Sequence, residues 1–325
     1  MDQKLPYYPY SEYLKEKYGE KVYKLPVNLP ATCPNRLKGS GCAFCSELGT
    51  GFEAMDYHVP VKKQLETTRQ RIEAKYHARK FIAYFQNYTN TFLPLERFRS
   101  YMEEAAEGKD LVEIAVSTRP DCVSTEYLEV LADIRRRLGL NITIELGLQT
   151  GNYHTLVRMN RGHTLAEFID AVSAVHSYGF ELCAHVILNL PGDNLLDVIE
   201  TAKLLSALRA ETVKVHSLYL AKGTPLSEAY EKGEVTVCSK AEYLERAAEF
   251  LNYLDPKIAV ERLFSRVPEK DALFCNWGTS WWKLRNELLE RMAATGSYQG
   301  KNFRYLNGAA LSGVKEVRRL DVGWK

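Results

Sequence analysis

The 325-residue chain has no run of the roughly 18–20 uninterrupted apolar residues that a membrane span requires, so no membrane association is expected. Its opening, MDQKLPYYPYSEYLKEKYGE, lacks the apolar stretch of a secretory signal. Neither charge dominates. With 43 basic side chains against 41 acidic ones no overall field draws a polyanion, although a local patch can still supply phosphate contacts. Internal repeats, low-complexity tracts and a clear interdomain linker are also missing. What the chain does have is 46% apolar composition, enough for one large core or two modest domains, and seven cysteines. Cysteines clustered in a chain without a secretory signal imply a reducing, cytoplasmic setting, and metal binding or chemistry in place of disulfides.

Three of those cysteines, Cys33, Cys42 and Cys45, fall within TCPNRLKGSGCAFC at C-x8-C-x2-C spacing. Three is an odd number: a structural zinc takes four protein ligands, and disulfides take pairs. Zinc with His58 as a distant fourth ligand is one reading, and Cys33 as an unrelated buried thiol is another. A third is a 4Fe–4S cluster held at three irons, its fourth iron open to a ligand. Pro34, Gly39 and Gly41 give the loop the tight turns needed to wrap a bulky group. The other four cysteines have no such spacing; Cys183 lies in an apolar run and reads as core, Cys122 lies nearer the expected site, and Cys238 and Cys275 suggest no second cluster.

Around this loop, strand-like runs alternate with helical patterns. The strands are expected at Lys24–Cys33, Lys80–Gln86, Leu111–Arg119, Asn141–Thr150, Glu181–Leu190 and Thr212–Leu220. Helices are expected near Val61–His77, Leu95–Glu107, Thr125–Leu138, Leu165–Tyr178, Leu195–Leu208 and Lys240–Leu254. Ser124 and the Thr164/Glu167 pair read as N-terminal caps, and Gly139 and Gly179 as C-terminal ones. Six interleaved strands, mostly apolar on both faces, imply an α/β fold with a parallel sheet covered by helices. Polar residues crowd the carboxyl ends of four strands, in QNYTNT, STRPD, LQTGN and NLPGD, and the cysteine loop opens on the same edge, where ligands of such folds bind. The chain then reads as an N-terminal extension (1–23), a barrel-like core (24–220) and a C-terminal extension (221–325) holding one strand-like run and an aromatic-rich helix start.

The cysteine loop resembles that of radical S-adenosylmethionine (SAM) enzymes. Within that superfamily the segments KVYKLPVNLPATCPNR, AYFQNYTNT, STRPD, IELGLQT, NRGHT, HVILNLPGD and NWGTSWWK resemble the branch related to the catalytic subunit of Elongator. The chain is most similar to a bacterial stand-alone group without the acetyltransferase domain, and its length agrees with that absence. The gap between the first two cysteines is shorter than is usual in that group, with the ligand count unchanged. The superfamily's common Gly-Gly-Glu after the second strand is replaced by QNYTNT.

The resemblance implies a partial (β/α)6 barrel of the radical SAM type, a 4Fe–4S cluster on Cys33, Cys42 and Cys45, and SAM on the open iron. It also implies reductive cleavage of SAM to a 5′-deoxyadenosyl radical and an electron donor such as flavodoxin or ferredoxin. Phe44 is expected beside the adenine, and Gln86 near the methionyl ammonium with Thr89 and Asn90 close by. Arg161 is expected on the methionyl carboxylate, Gln149 and Ser117 on the ribose hydroxyls, and Asn189 at the adenine edge. Arg119 is either a SAM contact or the partner of Asp121 in a structural ion pair, Asn90 can equally shape a turn, and His163 and His185 can be core histidines.

For the substrate, VKKQLETTRQRIEAKYHARK carries seven basic residues against two acids. The segment from Gly296 interleaves Tyr298, Phe303 and Tyr305 with Lys301, Arg304, Lys315, Arg318, Arg319 and Lys325. Such mixtures suit RNA, but the first equally describes a solvated helix face, and NWGTSWWKLR equally a packing cap. Resemblance to Elongator implies transfer RNA (tRNA) and carbon 5 of its wobble uridine. A radical SAM enzyme acting on a small metabolite or peptide is the alternative, and a zinc-stabilised RNA-binding protein without turnover is the reading from another class.

Overall fold

In the computed structural model, which describes residues 5–37, 39–45, 54–268 and 271–311, strands and helices alternate along most of the chain. Helix α1 (Tyr10–Tyr18) precedes β1 (Val22–Val27), and α2 (Pro34–Leu37) lies in the cysteine loop. Then follow α3 (Val61–Tyr76), β2 (Lys80–Phe85), α4 (Leu95–Ala106), β3 (Leu111–Thr118), α5 (Thr125–Leu138) and β4 (Asn141–Gln149). After the short α6 (Tyr153–Arg158) come α7 (Leu165–Ser177), β5 (Glu181–Ile187), α8 (Leu195–Ala207) and β6 (Thr212–His216). The C-terminal part adds β7 (Leu220–Ala221), α9 (Pro225–Glu231), α10 (Lys240–Tyr253), β8 (Ala259–Arg262), β9 (Ala272–Phe274) and α11 (Trp281–Thr295).

The main sheet runs β1-β2-β3-β4-β5-β6-β8, with every neighbouring pair parallel, and curls into a partial barrel flanked by helices. Six of these strands were expected from the sequence, although β1 ends at Val27 and does not run on to Cys33. The seventh, β8, is the strand-like run after Lys257, so the C-terminal segment contributes an edge strand to the barrel itself. It pairs with β6 through Thr212, Val213 and Lys214.

Alternation at period two separates the two faces of the barrel. Phe81, Phe85, Ile114, Val116, Ile142, Ile144, Leu182, Val186, Val213 and Val215 belong to one buried apolar cluster with Phe98 and Met102 of α4, Leu131 of α5, Phe168 of α7, Leu205 of α8 and Leu251 of α10. Each such side chain contributes about 1.5–3 kcal/mol by leaving water. The intervening positions, Tyr84, Ser117, Glu145, His185 and Lys214, are polar and project inward to one another. At the amino-terminal end of the barrel, α1 supplies Lys17 to Glu113 (3.0 Å) and to Glu181 (2.6 Å), and Tyr13 to Glu181 (2.7 Å), which ties the helix to β3 and β5.

Helix ends follow the expected chemistry with one exception. Thr164 and Glu167 form a reciprocal capping box on α7, and Gly139, at φ +68°, closes α5. Ser124 stands at the N-terminus of α5, but its hydroxyl donates to the Glu126 carboxylate at 2.6 Å and caps no backbone N–H. Glu126 two residues on outcompetes the backbone for it. No helix among the described residues is long and apolar enough to cross a membrane.

Candidate active site

The cysteine loop leaves the carboxyl end of β1 and is clamped on several sides. Asn28 N–H donates to Gln64 Oε1 and Asn28 O accepts from Gln64 Nε2, both at 2.9 Å, which fixes the loop start to α3. Thr89 N–H reaches Thr32 O at 3.3 Å. Further on, Ala43 N–H donates to Met159 O (3.0 Å), Ala43 O accepts from Leu226 N–H (2.9 Å), and Asn160 Nδ2 donates to Gly41 O (2.7 Å). Gly41 turns the chain at φ +78°, a conformation costly for any residue with a Cβ. Cys42 and Cys45 are joined by a turn in which Cys45 N–H donates to Cys42 O at 3.0 Å.

Each of the three thiols faces a guanidinium. Arg161 Nη1 lies 3.0 Å from Cys42 Sγ, Arg36 Nη2 3.5 Å from Cys45 Sγ, and Arg119 Nη1 3.8 Å from Cys33 Sγ; Asn35 Nδ2 adds a contact of 3.6 Å to Cys42. Burial opposes the thiolate at Cys42, yet Arg161 and Arg119 outweigh it and hold this thiol below the usual cysteine range. At Cys45 burial prevails over Arg36 and raises the thiol. A cationic cradle of this kind favours anionic sulfur ligands. His58, by contrast, is exposed and bound to Asp56 at 2.7 Å.

The other residues singled out in the sequence gather on the same edge. Phe44, Cys45, Gln86, Gln149, His185, Lys214, His216, Tyr219 and Arg262 line one cavity. Phe44 also lies 5.9 Å from the Arg161 guanidinium. Arg161 Nη2 donates to Gly147 O at 2.9 Å while its buried Nε has no hydrogen-bond partner. Asn189 accepts from Leu218 N–H through Oδ1 at 2.7 Å, and its buried Nδ2 is likewise unpartnered. Gln149 adopts φ +75° at the end of β4, where the pairing with β5 shifts register. Thr89 is buried beside the cysteine loop.

Three of the residues carry structural contacts. Asn90 Nδ2 donates to Phe85 O (3.0 Å) and Ser117 O (2.8 Å), tying the ends of β2 and β3. Ser117 Oγ donates to Glu145 at 3.1 Å. Arg119 forms a two-point ion pair with Asp121, with both contacts at 2.8 Å, while its third nitrogen points to Cys33.

Gly147 is where Arg161 and Gln149 are kept in place. A Cβ there would stand 2.8 Å from Gln149 Nε2 and 2.9 Å from Arg161 Nη2. Gly147→Ala is therefore expected to displace both side chains and lower turnover about a hundredfold, the order of loss that a 1 Å misplacement brings. The rate of the reaction carried out at this site measures it.

His163 is buried, with Nε2 3.0 Å from Gly147 O and Nδ1 3.2 Å from Thr164 O. Burial first, and then the Arg161 cation, push its pKa down to about 4. The unfolded chain takes up this proton near pH 6.5 and the native protein only near 4, so stability falls as pH drops through that window. The full loss is about 3 kcal/mol. In urea unfolding of the metal-free protein, His163→Gln is expected to remove that part of the pH dependence.

Sequence reasoning missed the charge layer beneath the cavity. Glu145 is fully buried; Oε1 accepts from Lys24 (2.7 Å), and Oε2 from His185 Nε2 (2.7 Å), Tyr84 (2.9 Å) and Lys214 (3.0 Å). Glu261 of β8 bridges the same two lysines at 2.6 and 3.0 Å. A signal was present: Lys24 in YKLPV, Glu145 in TIELG, Lys214 in VKVH and Glu261 in AVER each put a charge inside an apolar strand, where it must find a partner. Glu145, Cys183 and His185 also place ligand atoms within 4.8 Å of one another. Two ammonium groups already neutralise Glu145 there, which disfavours a further cation.

Residues 27–205 match the Radical SAM superfamily, and residues 210–294 match the Radical_SAM C-terminal domain. An uncharacterized protein, MJ0486, of Methanocaldococcus jannaschii is 34% identical over 90% of this chain and 91% of its own length. The uncharacterized Bacillus subtilis protein YtqA is 32% identical over 92% and 94% respectively. The fold is similar to that of the Elp3 protein of Methanocaldococcus infernus, with a TM-score of 0.65 at 17% identity, covering 86% of this chain and 64% of that one. A SAM site and an iron–sulfur-type cofactor are thereby implied, and the reading of a non-catalytic binding module falls away. With its curled parallel sheet and cysteine loop at the carboxyl edge, the chain belongs to the radical SAM superfamily and is an enzyme of that type.

Proposed function

We propose that Cys33, Cys42 and Cys45 hold a 4Fe–4S cluster whose open iron takes SAM, and that the enzyme modifies the C5 side chain of the wobble uridine of tRNA. The observation that carries the first part is the cradle: three thiols, each met by its own arginine, with Cys45 in the wall of a cavity on the carboxyl edge of the barrel. When bound, the cluster and SAM supply a 5′-deoxyadenosyl radical able to take hydrogen from an unactivated carbon.

The chain's own residues bind, orient and exclude water. Arg161 and Asn189 each keep a buried donor in reserve, which suits the methionyl carboxylate and an adenine edge. Phe44 and Tyr219 wall the cavity with ring surface, while Gln86 and Gln149 offer amide groups to ammonium and ribose. Thr89, Asn90, Ser117 and Arg119 position these groups through the contacts described above.

Support for RNA comes from the cavity rim and from resemblance to Elongator. Arg266 lines the cavity and its guanidinium lies 3.9 Å from the ring centre of Trp281; Trp282, with Lys283 5.4 Å from its ring, is exposed. Rings and cations together suit unpaired bases and phosphates. Within NWGTSWWK the roles divide, because Trp277 packs against Tyr243 and Phe274 and donates to Cys238 O at 2.8 Å. On α3, Arg69 is consumed by Glu66 and Glu73, whereas Lys62, Lys63, Arg71 and Lys75 are exposed. Tyr298 is exposed, but Tyr305 packs with Phe303 and bonds Tyr253 O. Lys315, Arg318, Arg319 and Lys325 lie outside the described residues.

Trp282→Ala is expected to weaken tRNA binding about tenfold, within the range of one lost base stack. Filter binding over a salt series measures it, and affinity should fall steeply with salt. The substrate itself is tested by deleting the gene and comparing modified tRNA nucleosides by mass spectrometry. Loss of one wobble-uridine derivative and build-up of its precursor are expected; an unchanged profile together with no tRNA binding at low salt would favour the small-metabolite or peptide reading.

A further inference from the structure

The cavity wall carries a histidine whose environment is built for proton transfer. His185 projects from β5 into the cavity, and its Nε2 sits 2.7 Å from Glu145 Oε2. That oxygen is ringed by donors: the Tyr84 hydroxyl at 2.9 Å, the Lys214 ammonium at 3.0 Å and the Ser117 hydroxyl at 3.1 Å. Lys24 holds the other oxygen at 2.7 Å. A carboxylate so surrounded stays ionised and can only accept, so the imidazole must donate to it from Nε2. In a neutral ring the lone pair then resides on Nδ1. Among the described residues Nδ1 makes no hydrogen bond, and the ring forms part of the wall beside Gln149 and Phe44.

The geometry points to Glu145 and His185 as a general acid–base dyad, with His185 Nδ1 as the catalytic atom that exchanges a proton with an N–H or O–H group of the substrate held in the cavity. This rests on the reading that the substrate enters the same cavity as SAM, and it adds a residue of defined role to that reading. In the forward direction the substrate X–H bond breaks heterolytically, its electron pair stays on X, and the proton forms the Nδ1–H bond. The resulting imidazolium is stabilised by Glu145 at 2.7 Å, the arrangement of a base oriented by a carboxylate. In reverse, the same proton returns to the product.

The groups facing this imidazole come from every strand around it: Lys24 on β1, Tyr84 on β2, Ser117 on β3, Glu145 on β4, Cys183 on its own strand, Lys214 and His216 on β6, and Glu261 and Arg262 on β8. Burial and the Lys214 cation hold its pKa below the ordinary histidine value against the pull of Glu145, so the basic form is present at neutral pH. The His216 ring, 5.6 Å away, is held lower still by burial, Arg262 and His185. The lysines and carboxylates cancel pairwise, which leaves the two imidazoles, both held in the neutral form, as the groups here able to take up a proton.

Glutamine at position 185 separates the roles, because its amide nitrogen can replace Nε2 as donor to Glu145 but offers no base. In the reconstituted holoenzyme, His185→Gln is expected to keep its thermal midpoint and its iron content. It should lose about a hundredfold or more in conversion of tRNA from a strain lacking the gene. The limb of the pH profile that reports the unprotonated imidazole should vanish with it. Conversion at the wild-type rate would overturn the dyad. If wild-type protein converts no nucleoside, the RNA reading fails and a second measurement decides the dyad alone: diethyl pyrocarbonate labelling, mapped by peptide mass spectrometry. His185 is expected to be carbethoxylated with a rate that rises with pH, and faster in the wild type than in Glu145→Gln. An inert His185, alongside labelling of the exposed His58, would overturn it.

Discussion

Serine in place of Cys42 is expected to lower 5′-deoxyadenosine formation at least about a thousandfold, with the same result at Cys33 and at Cys45. Thiolates hold iron of this kind, and a serine hydroxyl is neither ionised nor soft enough to replace them. The loss should be largest at Cys42. Two arginines lower its thiol, and Arg161 would then face an uncharged group across the 3.0 Å now spanned to sulfur. Chromatography of dithionite-reduced reactions measures the nucleoside, and iron content measured on the same samples separates loss of the cluster from loss of SAM binding. A variant that retains both would remove that cysteine from the ligand set.

The second large effect concerns stability. Glu145→Ala is expected to cost about 3–5 kcal/mol, because it leaves Lys24 and Lys214 at the centre of the barrel with Glu261 alone to balance them. Pairing Glu145→Gln with Lys214→Met should cost less than the two single changes added together, since each removes the other's unpaired charge. The pH sign is the opposite of that for a histidine gaining a partner. Both carboxylates are held below their ordinary range, Glu261 at about 2, by the lysines. Their contribution is therefore complete above the unfolded carboxyl value near 4.5 and is lost as pH falls through their native values. The interval between 6.5 and 4 belongs to the buried histidines, His163 with His185 and His216, and the His163→Gln difference isolates the first of them. Urea midpoints across that range separate the two contributions.

Much of the barrel was legible because its outer face obeys simple rules. Short runs apolar on both faces marked six strands, and helix boundaries from Val61 to Tyr253 fell within a residue or two of expectation, helped by Gly139 and the Thr164/Glu167 box. The run at Ala259–Arg262 was visible as a strand, but its place beside β6 depends on contacts across the sheet that no local pattern encodes. Convergence of Phe44, Gln86, Gln149 and Arg161 on one edge was likewise legible, since strand ends and the loop after β1 share that edge in any parallel sheet.

The division of labour inside the site was not. Asn90 and Arg119 were each open to two readings, a ligand or a structural contact, and the structure shows Asn90 on backbone carbonyls and Arg119 on the Asp121 named as its ion-pair partner. The inward charges of Lys24, Glu145, Lys214 and Glu261 come from four strands, and only the closed curl of the sheet brings them within 3 Å. His185 looked like a core histidine for the same reason. Its partner lies forty residues away on the neighbouring strand, at a distance only the β4–β5 register sets.

The central claim is tested most directly by anaerobic reconstitution of the wild-type chain, followed by iron and sulfide analysis and by electron paramagnetic resonance of the reduced protein with and without SAM. About four irons and four sulfides per chain are expected, with a spectrum that changes when SAM is added. A colourless protein holding a single zinc, or an iron–sulfur spectrum indifferent to SAM, would contradict it.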